Sequence, residues 1–129
     1  MSTWYLDTSA ALKLVIEEAE SPALAAQIDA EEPGLASCLL LETECRRAAH
    51  RVAALTQQHV TDLLASVDLY DAPASLYREA GLLPGTGLRS LDAIHLAACI
   101  RIGADELITY DQRMAEAARE LGIPVRSPA

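Results

Sequence analysis

Four carboxylates stand in frames that a lone acid seldom occupies: Asp7 in Trp4-Tyr5-Leu6-Asp7-Thr8-Ser9, Glu42 after Leu39-Leu40-Leu41, Asp92 in Leu91-Asp92-Ala93-Ile94-His95, and Asp111 after Leu107-Ile108-Thr109-Tyr110. An ionised carboxylate is rarely buried without a partner, so acids that close apolar segments call for positive charge. The chain has little to give, with ten Lys and Arg against nineteen Asp and Glu, and Lys13 as its one lysine. A divalent metal ion is the missing partner that this pattern asks for. Converging carboxylates repel one another unless a hard cation binds them through oxygen, as Mg²⁺ or Mn²⁺ does. Such a site suits attack of metal-activated water on a phosphodiester and needs no covalent nucleophile from the protein. His50, His59, His95 and the three cysteines have no zinc-ligand spacing.

Each acid alone has a plainer reading. Asp7 and Asp92 could cap or open a helix, Asp111 could cap the helix after it, and Glu42 and Glu44 could be solvated helix acids. Only convergence raises the metal reading above these, and convergence depends on the elements.

Trp4–Leu6 reads as a short strand, followed by a helix capped at Asp7-Thr8-Ser9 that runs to Ile16 and closes in a polar turn at Glu17, Glu18 and Glu20. Leu35–Ser37 reads as a second strand after the Pro33-Gly34 turn, with Ser37 capping a helix from Cys38 to about Ala53. Helices at Gln57–Ser66 and from Pro73 to about Ala80 flank a strand at Val67–Tyr70. Beyond the turn-forming stretch Pro84–Gly87, Ser90 caps an almost wholly apolar helix, Leu91–Ile102, which ends at Gly103 and belongs in the middle of the molecule. Glu106–Tyr110 is a buried strand, Gln112–Leu121 a helix, and Ile123–Val125 a last edge strand. This alternation predicts an α/β fold, a parallel sheet covered by helices on both faces. In such sheets a ligand site lies beyond the carboxyl ends of the strands, where Asp7 and Asp111 would meet if their strands are neighbours.

The 129 residues fit a single domain, 1–129, and a composition 51% hydrophobic without Phe suits a packed core of small and branched side chains. The net charge of −9 opposes nucleic-acid binding, so a nucleic-acid substrate would need metal ions and local arginines. Cys38, Cys45 and Cys99 read as buried thiols of a reducing compartment, and no stretch reads as a targeting sequence or membrane span, which predicts a cytoplasmic protein. His95 reads as a core histidine with a local hydrogen bond, Arg46 as the ion-pair partner of Glu42 four residues earlier, Arg113 as the structural partner of a nearby acid, and Lys13 as a snorkelling residue. Arg89, before the apolar helix, is a candidate for contact with an RNA phosphate.

Four stretches, Tyr5-Leu6-Asp7-Thr8-Ser9-Ala10, Ser37 through Glu42 with Arg46, Leu88 through Ala97, and Leu107 through Met114, span nearly the whole chain. In that order they resemble the PIN-domain ribonucleases, specifically the VapC-type toxins of toxin–antitoxin pairs. The resemblance implies a three-layer α/β/α sandwich with a short parallel sheet and a Mg²⁺- or Mn²⁺-dependent endoribonuclease whose metal ligands are Asp7, Glu42, Asp92 and Asp111. It also implies a cognate VapB-type antitoxin whose C-terminal segment covers the site, a homodimer within the toxin–antitoxin complex, and supporting roles for Thr8, Ser9 and Thr109. Thr109 ranks first, because a period of two puts it on the side of Asp111. Two rivals stand beside this reading. One is a phosphotransfer or phosphatase-like domain, weakened because Ser9 occupies the place of a second aspartate and Lys13 falls early in the chain. The other is a catalytically silent partner-binding domain, weakened by the intact acid set.

Overall fold

The computed structural model describes all 129 residues and contains five strands and seven helices. The strands are β1 (Thr3–Leu6), β2 (Gly34–Cys38), β3 (Asp68–Tyr70), β4 (Glu106–Ile108) and β5 (Val125–Arg126). They pair in parallel in the order β3-β2-β1-β4-β5. The chain builds outward from β1 to β3 on one side, then returns to place β4 on the other, so strand order reverses between β1 and β4. In an open parallel sheet, such a reversal is where a crevice forms beyond the carboxyl ends of the two central strands.

The helices are α1 (Thr8–Lys13), α2 (Ser21–Glu31), α3 (Leu40–Ala49), α4 (Gln57–Ala65), α5 (Ala74–Leu82), α6 (Ser90–Ile102) and α7 (Gln112–Glu120). Alternation along β1 divides the core into two halves. Trp4 and Leu6 pack with Leu24, Leu41 and Val60 on the face covered by α1 to α4. Tyr5 points the other way, with Leu107, into the cluster formed by Leu76, Leu96 and Met114 of α5 to α7. The expected three-layer α/β/α sandwich is therefore present. Ala93 through Cys99 of α6 are all buried, which accounts for that helix being apolar on most sides.

Several local features differ from the sequence expectation. Helix α2 follows directly on the polar turn, where no helix is expected; it carries Pro22 in its first turn and ends at Glu32 in the left-handed region, φ 48°. Its one fully buried large side chain is Leu24, too weak a stripe to be read from sequence. Ser37 caps no helix, because its hydroxyl donates to the Leu6 carbonyl at 2.8 Å and cross-links β2 to β1. Helix α3 begins at Leu40, two residues later than expected. Arg89, not Ser90, holds the N-cap position of α6.

The last strand is fastened by Arg126. Its guanidinium lies 4.4 Å from the ring centroid of Trp4, donates to both carboxylate oxygens of Glu106 at 3.1 and 2.7 Å, and pairs with Glu31 of α2. Stacking and forked pairing at a residue only partly exposed are worth more than a surface ion pair. Arg126→Met should lower stability by about 1–3 kcal/mol and shift the emission of Trp4, the sole tryptophan. Chemical denaturation followed by tryptophan fluorescence measures both.

Candidate active site

Asp7 follows β1 directly and caps α1, accepting the Ala10 backbone N–H at 2.9 Å through Oδ1. Ser9 donates to the same oxygen at 2.7 Å, and Thr109 donates to Oδ2 at 2.5 Å. The carboxylate is 2% exposed and makes no ion pair in the structure. Burial pushes its pKa up, and the hydrogen bonds from Thr109, Ser9 and Ala10 only partly offset that.

Asp111 lies three residues past β4 and caps α7, accepting from the N–H groups of Arg113 and Met114 through Oδ1 at 2.9 and 3.1 Å. Thr109 links the two aspartates, since its hydroxyl donates to Asp7 and accepts the Asp111 N–H at 3.1 Å. Pairing of β1 with β4 makes this possible, with Leu6 opposite Ile108. Asp92 stands in the first turn of α6. Burial raises its pKa, the charge of Asp111 raises it further, and Asp7 adds to this, against the opposing charges of His95 and Arg89. Asp7 and Asp111, joined through Thr109, thus lie close enough to Asp92 for their charges to oppose its ionisation.

Glu42 does not join them. Its carboxylate pairs with Arg46 at 3.0 Å, as expected, and its side chain is 43% exposed. The acid on α3 that turns toward the crevice is Glu44, which in sequence reads as a solvated helix residue. Positions two apart on a helix lie about 160° round its axis, so the buried stripe Leu41-Cys45-Ala48 is flanked by Glu42 on one side and Glu44 on the other. Glu44 Oε1 accepts from Thr8 at 2.6 Å and contacts His95 Nε2 at 2.7 Å. Thr8 adjoins Asp7 and His95 follows Asp92 by one turn, so Glu44 sits between the two helix starts that carry those acids. Of the two hydroxyls that open α1, Ser9 donates to Asp7 and Thr8 to Glu44.

His95 is buried as expected, but its bonds are long-range. Nδ1 lies 2.7 Å from the Tyr5 hydroxyl, across 90 residues of sequence, while Nε2 faces Glu44. Burial disfavours the imidazolium, yet Cys38 and Glu44 outweigh it and raise the pKa to about 9. The Glu44 carboxyl is held below its usual range, the bonds from His95 and Thr8 overcoming burial. Arg113 makes no ion pair, against expectation, and neither does Arg89; both are exposed. Lys13 pairs with Glu18 and Glu20 over the Tyr110 ring and points away from the acids.

Residues 4–120 match the model of the PIN domain family. The chain is 38% identical over 131 residues to the ribonuclease VapC46 of Mycobacterium tuberculosis, covering 100% of both chains. It is 39% identical over 129 residues to VapC35 of the same organism, covering 96% of each. The chain belongs to the PIN-domain ribonucleases of the VapC family. It is an endoribonuclease toxin of a toxin–antitoxin system. A solved toxin–antitoxin complex from Klebsiella pneumoniae superposes with a TM-score of 0.71 at 22% identity, covering 97% of each chain, and carries the same fold.

PIN domains are typically metal-dependent, and the acids can be tested against that requirement. No three acidic, histidine or cysteine groups stand close enough in their present rotamers to hold one ion. The donor set still fits a hard cation. All its atoms are carboxylate oxygens, none of the three aspartates is neutralised by an ion pair, and Asp92 makes no hydrogen bond that would fix its side chain. No helix of this PIN domain is long and apolar enough to cross a membrane.

The raised pKa values of Asp7 and Asp92 have a definite consequence for stability. A carboxyl with a higher pKa folded than unfolded favours folding most below the ordinary carboxylate range, and that contribution is lost as pH rises through the shifted value. At neutral pH the two charges therefore oppose folding. In metal-free buffer at pH 7, Asp92→Asn should melt a few degrees above the wild type, with the gap closing toward pH 4. Differential scanning calorimetry across that range measures it.

Proposed function

We propose that residues 1–129 act as one nuclease domain that cuts RNA with a Mg²⁺ or Mn²⁺ ion held by Asp7, Asp92 and Asp111, and that the fourth acid is Glu44 in place of Glu42. The observation that carries this reading is that Asp7 and Asp111 are joined through Thr109 within reach of the charge of Asp92, with no basic side chain paired to any of the three. When bound, such an ion supplies an activated water and offsets charge on the phosphate. The chain's own residues set the geometry around it. Thr109, Ser9 and the Ala10 N–H fix both oxygens of Asp7, and the start of α7 fixes one oxygen of Asp111 and leaves the other without a hydrogen bond.

Asp7 itself makes a poor covalent nucleophile, because three donors occupy it and it is almost fully buried. That counts against a phosphotransfer reading. Arg89 and Arg113, exposed and without ion pairs, stand at the N-termini of α6 and α7 beside Asp92 and Asp111. They are the cations placed to meet RNA phosphates on an otherwise acidic protein. A VapB-type antitoxin is the expected partner, its C-terminal segment lying over the same crevice, within a complex built on a toxin homodimer in the cytoplasm.

Asp7→Asn, Asp92→Asn and Glu44→Gln should each reduce RNA cleavage by about a hundredfold or more with Mg²⁺ present. Glu42→Gln should stay within about threefold of wild type. End-sequencing of cellular RNA after brief induction, with cleavage rates for the purified variants, checks both. Equal losses in Glu42→Gln and Glu44→Gln would return the fourth position to Glu42.

A further inference from the structure

We propose that His95 is a positioning residue: its Nε2–H holds the Glu44 carboxylate against the acidic crevice, and the Tyr5 hydroxyl locks the imidazole in the orientation this requires. The inference rests on the reading of Glu44 as the fourth acid.

The first support is the chain of contacts. Tyr5 comes from the centre of the sheet, His95 from α6 and Glu44 from α3, and they connect through contacts of 2.7 Å at Nδ1 and 2.7 Å at Nε2. The phenol and imidazole rings meet edge to face, centroids 5.7 Å apart at 74°. A histidine buried merely as core needs one local acceptor; this one is held at both nitrogens and ties together β1, α3 and α6.

The second support is proton placement. An ionised carboxylate only accepts, so Nε2 must carry the proton that faces Glu44. In the neutral ring Nδ1 then accepts from the Tyr5 hydroxyl. In the cationic ring Nδ1 donates to Tyr5, whose hydroxyl turns its own proton toward Cys38 Sγ at 3.3 Å. Nε2–H faces Glu44 in either state, so the clamp does not depend on the charge of His95.

The third support is what Glu44 would do without it. A glutamate has three side-chain torsions and loses appreciable entropy when fixed. Thr8 and His95 are its only side-chain hydrogen-bond partners, and Glu42, which lacks them, pairs instead with Arg46 at the surface. Thr8 and His95 both bind Oε1, which leaves Oε2 with no hydrogen bond to protein on a side chain 24% exposed. The held oxygen sets direction, and the other oxygen is presented.

His95→Gln and His95→Met separate donation from packing, since the side chains match in length and only glutamine can donate at the former Nε2 position. Titration of metal-free protein with Mn²⁺, followed by calorimetry, should show affinity weakened about tenfold or more in His95→Met and largely restored in His95→Gln, at similar melting temperatures. Equal Mn²⁺ affinity in the two folded variants overturns the proposal. Should neither fold, Thr8→Val removes the second donor to the same oxygen from a partly exposed position; a weakened Mn²⁺ affinity supports the clamp and an unchanged one overturns it. Asp7→Asn is the control. If it keeps wild-type Mn²⁺ affinity and RNA cleavage, the metal-site reading itself has failed; if it loses both while His95→Met keeps them, the failure belongs to His95 alone.

Discussion

Unneutralised negative charge at the carboxyl ends of β1 and β4 is the constraint that organises this molecule. Asp7 is costly to ionise because it is buried, Asp92 because burial and the charges of Asp111 and Asp7 oppose it, and no arginine or lysine is paired to any of the three. Placing them together opposes folding, so the surroundings must over-determine each side chain. Helix N-termini supply part of the compensation: Asp7 caps α1, Asp111 caps α7 and Asp92 lies in the first turn of α6, where helix dipoles favour negative charge. The hydroxyls of Ser9 and Thr109 supply more. What remains uncompensated is the charge a divalent cation would meet.

The sheet order is what allows so small a domain to gather these groups. With β1 flanked by β2 and β4, its carboxyl end is bordered by the α3 start on one side and the α7 start on the other. Ser37 locks β2 to β1 through the Leu6 carbonyl, one residue before Asp7. Thr109 locks the end of β4 to Asp7 itself. Core packing and site geometry are therefore joined at the same residues, and loss of either hydroxyl disturbs both.

Much of this is legible in the sequence, because its strongest signals are local and repeated. The apolar triplet Trp4–Leu6 ended by Asp7 marks β1, Leu107-Ile108 with Asp111 three residues on marks β4, and the run Ala93–Cys99, apolar except for His95, can belong only to a central helix. Thr109 is read as a neighbour of Asp111 by a period of two, although β4 ends at Ile108 and the two are linked by the Asp111 N–H. The choice between Glu42 and Glu44 is not legible, for the two flank the buried stripe Leu41-Cys45-Ala48 and only the tertiary fold decides which flank meets Thr8 and His95. Ser37 offers a plausible cap, yet a cross-strand bond claims its hydroxyl. Nor is the role of His95 legible, since its partners lie 90 and 51 residues away and only the fold brings them near. Helix α2 escapes for a different reason, its buried face being a single leucine amid alanines and acids.

Family membership settles the class of reaction, while the crevice raises the question of how an acidic protein of net charge −9 handles RNA at all. Physically, the acids and a bound cation would act as one unit of reduced charge, with Arg89 and Arg113 at the rim. The most direct test is a crystal structure of the protein soaked with Mn²⁺, with anomalous scattering used to locate the ion. A peak ligated by Asp7, Asp92 and Asp111 is the predicted result; well-diffracting crystals with Mn²⁺ bound elsewhere, or with those three carboxylates unliganded at millimolar Mn²⁺, would contradict it.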